Sequence, residues 1–188
     1  MKAFRNSYPA YLFLYSFYFM STALFTTLIS VYLIGQQYSA SQVSNLVSTA
    51  FFLSMLTQPL FGYINERFGI VKITTLSLGV LMAGVGGFIW APNFFWLTIF
   101  YGLVLLCLNG TAPMMEILAT QSPYAFGKIR VWGTLGYAAG AHLAGWLYAH
   151  LSPQSVYYCV LVTILLSFFT LGAIRIDKTN RVQKEVVS

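Results

Sequence analysis

The sequence predicts an all-α integral membrane protein with six transmembrane helices. Three observations carry that class. The 188 residues are 58% hydrophobic and only 7% charged, with mean hydropathy +0.72, whereas a soluble domain carries roughly 25% charged residues. Six apolar stretches are each long enough to cross a bilayer. The lysines and arginines all fall between alternate stretches, on one predicted side.

A hydrocarbon core about 30 Å thick needs about 20 apolar residues per helix, because lipid offers no partner to an unpaired backbone amide or carbonyl. The spans are placed at 10–34, 43–63, 73–90, 94–118, 129–148 and 156–174, making 1–175 one six-helix bundle. The first follows Lys2 and Arg5. Its apolar run is too long for a signal peptide and no small-residue cleavage site follows it, so it reads as a retained helix. Polar residues 35–42 lead into the second, and a mixed-charge connection, 62–72, joins the second to the third. The third carries Gly79, Ala83 and Gly87 at helical spacing, and the fifth carries Gly136, Gly140 and Ala144. Each set lines one face and lets a neighbouring backbone approach closely, either for ordinary packing or for sliding at a gate. Cys107 and Cys159 lie inside apolar runs and read as small packing residues.

Orientation follows from the cations. Lys2 and Arg5 precede the first span, Arg67 and Lys72 lie between the second and third, and Lys128 and Arg130 come at the entry to the fifth. Arg175, Lys178, Arg181 and Lys184 follow the sixth, while 35–42, 91–93 and 149–155 contain no cation. Cationic loops resist translocation, so both termini are expected in the cytoplasm, with 176–188 a cytoplasmic tail or the start of a linker. Trp90, Trp96 and Trp146 fall near the expected outer boundary, where amphipathic rings settle.

The formal net charge of +6 does not indicate a nucleic-acid partner, since the cations sit singly or in pairs between apolar runs. The expected surroundings are membrane lipid. There is no nucleotide loop, nucleophile–base pattern or paired-carboxylate site, so no enzyme and no cofactor is expected. His142 and His150 have no metal-ligand company; His142 reads either as a hydrogen-bonded interior residue or as a proton relay.

Two motifs carry more. The connection Gly62-Tyr63-Ile64-Asn65-Glu66-Arg67-Phe68-Gly69-Ile70-Val71-Lys72 has glycine at both ends of a mixed-charge segment. Gly62 suits close helix packing, Gly69 a positive-φ turn, and Glu66 a helix end or ion pair. The spacing resembles the loop signature of the major facilitator superfamily. That resemblance implies gating roles for Gly62, Glu66, Arg67, Gly69 and Lys72. The second motif runs Asn109-Gly110-Thr111-Ala112-Pro113-Met114-Met115-Glu116, then Phe126-Gly127-Lys128-Ile129-Arg130-Val131-Trp132-Gly133-Thr134-Leu135-Gly136-Tyr137. It is similar to the lactose permease, nucleoside and phenylpropionate proton symporter group of that superfamily. The likeness implies that Glu116 and Arg130 hold substrate hydroxyls, with Tyr137 where the group stacks a tryptophan on a sugar ring. Independently, an intramembrane carboxylate and guanidinium are costly unless they pair or face water, and together they offer the acceptors and forked donors a polyol needs. Interfacial placement of both is the competing reading, and Lys128 reads as a solvated charge.

The resemblance further implies that the chain is the amino-terminal half of a transporter, one half of a major-facilitator fold built from 3+3 inverted repeats. Expected partners are a small-molecule substrate, a sugar or nucleoside, with protons, and a second six-helix half, as a separate chain or a second copy. The expected location is a bacterial plasma (inner) membrane. The alternative is a non-transporting truncated remnant or a regulatory membrane subunit.

Overall fold

The computed structural model describes residues 6–174, and every regular element among them is an α-helix. In order these are α1 (Tyr8–Thr27), α2 (Ile29–Gly35), α3 (Ala40–Phe68), α4 (Ile70–Ile89), α5 (Phe94–Thr120), α6 (Phe126–His150) and α7 (Ser155–Gly172). Lys2, Arg5, Arg175 and the 176–188 tail lie outside the described residues.

Local chemistry sets several of these boundaries. Ser39 and Gln42 cap α3 reciprocally: the Gln42 amide donates to Ser39 Oγ at 3.3 Å, and the Ser39 amide donates to Gln42 Oε1 at 2.9 Å. Asn93 caps α5, its Oδ1 accepting from the Trp96 amide at 3.2 Å. At the other end of α3 a single residue, Gly69, separates it from α4. Its φ of 89° is one that side-chain-bearing residues avoid.

Two expectations are corrected here. The first span is not one helix: α1 and α2 meet at Leu28 with a 40° bend. The hydroxyls of Thr22, Thr26 and Thr27 donate to carbonyls four residues back, at 3.1, 2.8 and 2.6 Å. Such back-bonding loosens and bends a helix. The second span does not give way to a polar hairpin at residue 63 either. The α3 helix continues to Phe68, because backbone hydrogen bonding persists after hydropathy falls.

Four helices, α3, α4, α5 and α7, are individually long and apolar enough to cross a membrane, and α1 with α2 makes a fifth if the bent pair is one span. The expected fifth span, 129–148, is helical within α6, but its glycines, tyrosines and His142 dilute its apolarity below that of the others.

In the bundle α1 packs chiefly on α6 and then α7, α5 packs on α3 and α4, and α4 meets α7. The α6 stripe of small residues explains the first of these contacts. A Cβ on Gly136 would lie 2.7 Å from Ser16 Cα, and one on Gly140 would lie 2.6 Å from the Met20 carbonyl oxygen. Two backbones therefore touch, as small-residue faces permit in lipid. The α4 stripe does something else. Gly79 and Ala83 are exposed, and only Gly87 meets a neighbour, the Phe100 ring. Away from this contact the core is aromatic. Phe25, Tyr32, Phe88, Tyr101 and Tyr157 interlock, with Tyr32 to Tyr157 at 4.7 Å and Phe88 to Tyr157 at 4.9 Å between ring centroids. Tilted and edge-on rings at this spacing pack favourably.

Candidate functional site

The site is built on the α5–α6 hairpin. Glu116 lies one turn before the end of α5 and Arg130 one turn into α6, so the two stand level across the turn at 121–125. Ser122 shapes that turn: its Oγ donates to the Ala119 carbonyl at 2.7 Å and accepts from the Tyr124 amide at 3.2 Å. The Tyr124 ring is edge-on to Tyr8 at 5.3 Å and Tyr11 at 6.0 Å, which docks the turn on α1. Below it, the Trp132 indole donates to Tyr8 Oη at 2.9 Å and Tyr8 Oη donates to the Lys128 carbonyl at 3.2 Å.

The geometry brings Glu116 and Arg130 into an ion pair, the only one among the described residues. The pair is partly open, with Arg130 52% and Glu116 31% exposed. Pairing offsets the cost that each charge alone would meet in an apolar setting, and exposure leaves donors and acceptors free for a ligand. The Arg130 guanidinium also lies 5.9 Å from the Phe126 ring centroid. Beside the pair is an open depression of about 220 Å³ lined by Phe19, Arg130, Gly133, Thr134 and Tyr137. Arg130, Thr134 and Tyr137 share it because residues four and seven apart stack on one helix face. Half-exposed Tyr137 presents a flat ring.

Phe19 and Thr134 are not among the residues singled out from the sequence. Stepping four residues along from Arg130 finds Thr134; Phe19, one of 16 phenylalanines, carries no comparable signal. On the α5 side, Pro113 supplies no amide to the Asn109 carbonyl. Separately, the Asn109 side-chain amide donates to Ser54 Oγ at 2.9 Å, tying α5 to α3.

The gating-loop residues are dispersed over helix ends rather than gathered in a loop. Gly62, Glu66 and Arg67 ride the last turns of α3, Gly69 is the break, and Lys72 is on the first turn of α4. Glu66, Arg67 and Lys72 are exposed and form no ion pair among the described residues. Arg67 sits 5.6 Å from the Phe68 ring centroid. Among the described residues nothing lies within 4 Å of a Cβ placed on Gly62. His142 is exposed, about 18 Å along α6 from Arg130 at 1.5 Å per residue, and is not among the residues lining the depression. Lys128 is exposed at the start of α6.

The long apolar helices define a multi-pass membrane protein, with a partly open ion pair beside the α5–α6 turn. The chain belongs to the Major Facilitator Superfamily, whose family profile matches residues 11–187. It is 28% identical over 171 residues to the sucrose permease of Escherichia coli, covering 84% of this chain and 41% of that protein. It is 27% identical over 173 residues to the maltose permease of Geobacillus stearothermophilus, covering 86% of this chain and 42% of that protein. The chain thus spans less than half the length of these relatives.

Proposed function

We propose that this chain supplies the amino-terminal, six-span half of a proton-coupled symporter for a sugar, oligosaccharide or nucleoside. The observation that carries this reading is the Glu116–Arg130 ion pair, whose arginine lines a depression together with Tyr137. The guanidinium donates to substrate hydroxyls, the carboxylate accepts from them, and the Tyr137 ring lies against the apolar face of a sugar. Relatives named for sucrose and maltose favour a disaccharide.

The six spans are α1 with α2, then α3 to α7. The packing partners support a 3+3 inverted repeat, since α1 on α6 and α7 is matched by α5 on α3 and α4, with α4 and α7 meeting between them. A second half, or a second copy, completes the cavity and gives Glu66, Arg67 and Lys72 their partners across a cytoplasmic gate. His142, outward on α6, is a candidate relay toward that half, and both termini lie in the cytoplasm of a bacterial inner membrane. The alternative reading is a non-transporting remnant or a regulatory membrane subunit.

The deciding measurement is uptake of radiolabelled sucrose, maltose and a nucleoside panel into proteoliposomes, with the chain alone and with a candidate second half, under an imposed proton gradient. Transport is expected only with a second half or a demonstrated dimer. Absence of uptake and binding in every combination sinks the transporter reading in favour of the remnant.

A further inference from the structure

Tyrosines recur along α1 at Tyr8, Tyr11, Tyr15 and Tyr18, spacings of three, four and three that place them on one helix face. Three of their hydroxyls donate to backbone carbonyls of the two site helices. Tyr8 reaches Lys128 on α6, Tyr15 reaches Met115 on α5, and Tyr18 reaches Leu108 on α5 at 2.6 Å. Tyr15 is fully buried, as is Met115, the residue preceding Glu116. The same Tyr15 ring borders α6, where a Cβ on Gly133 would lie 2.8 Å from Phe19 Cδ2 and 3.1 Å from Tyr15 Cδ1. Gly133 in turn lines the depression beside Arg130. Meanwhile α5 and α6 touch each other little beyond their turn, and both rest against other helices.

We propose that Tyr15 is the positioning residue of the Glu116–Arg130 pair. Its hydroxyl ties the α5 backbone at Met115 while its ring, beside that of Phe19, fills the space to α6 at Gly133. The carboxylate and guanidinium are thereby held in contact beside the depression, where one hydroxyl-bearing ligand can meet both. A phenol suits this task because its ring is rigid and its one donor is aimed by two torsions, so little conformational freedom is lost on burial. The shape of the site rests on Tyr15 whether or not the ligand is a sugar; its effect on affinity rests on the function proposed above.

The test uses the full chain with Cys107 and Cys159 replaced by alanine and nitroxides attached at Ile117→Cys and Val131→Cys, exposed positions next to the pair. Tyr15→Phe deletes the hydroxyl and keeps the ring. It is expected to shift or broaden the 117–131 distance distribution at unchanged helix content. Tyr18→Phe, which removes an equivalent bond about 10 Å further along α5, is expected to leave that distribution as it is. With a second half present, Tyr15→Phe is expected to weaken sucrose or maltose binding about fivefold, the usual worth of one neutral hydrogen bond. An unchanged distribution in Tyr15→Phe, or equal changes in the two variants, overturns the proposal. A changed distribution in a protein that binds neither sugar leaves Tyr15 as the positioning residue and removes the sugar reading instead.

Discussion

Replacing Gly136 by alanine tests the backbone contact on which the site's scaffold depends. The added Cβ would stand 2.7 Å from Ser16 Cα and 2.9 Å from the Ser16 carbonyl carbon, against an ordinary carbon–carbon separation of about 3.5–4.0 Å. The obstacle is main chain, so no rotamer change relieves it, and α1 and α6 must part by about 1 Å. Overpacking of this kind costs about 1–3 kcal/mol. Helix propensity works the other way, alanine being favoured over glycine by about 0.8–1.0 kcal/mol in a helix interior. The net expectation is a loss of up to about 2 kcal/mol. Gly145, on the same helix with nothing within 4 Å of its Cβ, isolates the propensity gain, so Gly145→Ala is expected to match or exceed the parent. The assay is equilibrium unfolding of both variants in mixed micelles, followed by circular dichroism. If Gly136→Ala proves as stable as Gly145→Ala, α1 and α6 do not meet through their backbones and the packing argument fails.

Three further outcomes are expected. Glu116→Gln and Arg130→Lys each keep a polar group but lose the charge or the fork, and each is expected to weaken substrate binding about 10- to 100-fold by equilibrium titration, from charged hydrogen bonds worth about 1.5–3 kcal/mol; unchanged affinity in both moves the pair to an interfacial role. Gly69→Ala is expected to cost about 1–2 kcal/mol because φ is 89° there, while Gly62→Ala, which meets nothing within 4 Å, is neutral or stabilising; the same unfolding assay compares them. Reporter fusions within 35–42, 91–93 and 149–155 are expected to read outside and both termini inside, and an external carboxyl terminus contradicts the six-span arrangement.

The sequence laid an apolar run over each helix in the described region, merging α1 and α2 into one, because lipid makes long apolar runs compulsory and turn formers mark their ends. Its errors were of two kinds. Hydropathy ended the second span early, since Asn65, Glu66 and Arg67 are polar yet keep their backbone bonds in α3. It also ran through Leu28, where threonine hydroxyls rather than any apolarity break produce the bend. Small-residue spacing named two equivalent faces, but only the α6 face meets a backbone, and spacing alone carries no information about the partner. At the site, charged residues stood out against an apolar background, so Glu116 and Arg130 were legible. Tyr15, Phe19 and Thr134 were not, being polar or aromatic residues of a kind the spans contain in abundance. The heptad-like spacing of the α1 tyrosines was the available signal for Tyr15.

The glycine-rich face of α6 bears on how the chain is made. A helix that is weakly apolar and carries charge at its first turn gains little by entering lipid on its own, and insertion machinery that weighs each segment by its partitioning treats it as marginal. What α6 has instead is a groove that fits α1, which is synthesised more than a hundred residues earlier. Pairing with that helix supplies what composition withholds. Retention of α6 in the membrane is therefore expected to depend on α1, and lesions at Ser16 or Gly136 are expected to be felt first as failed insertion.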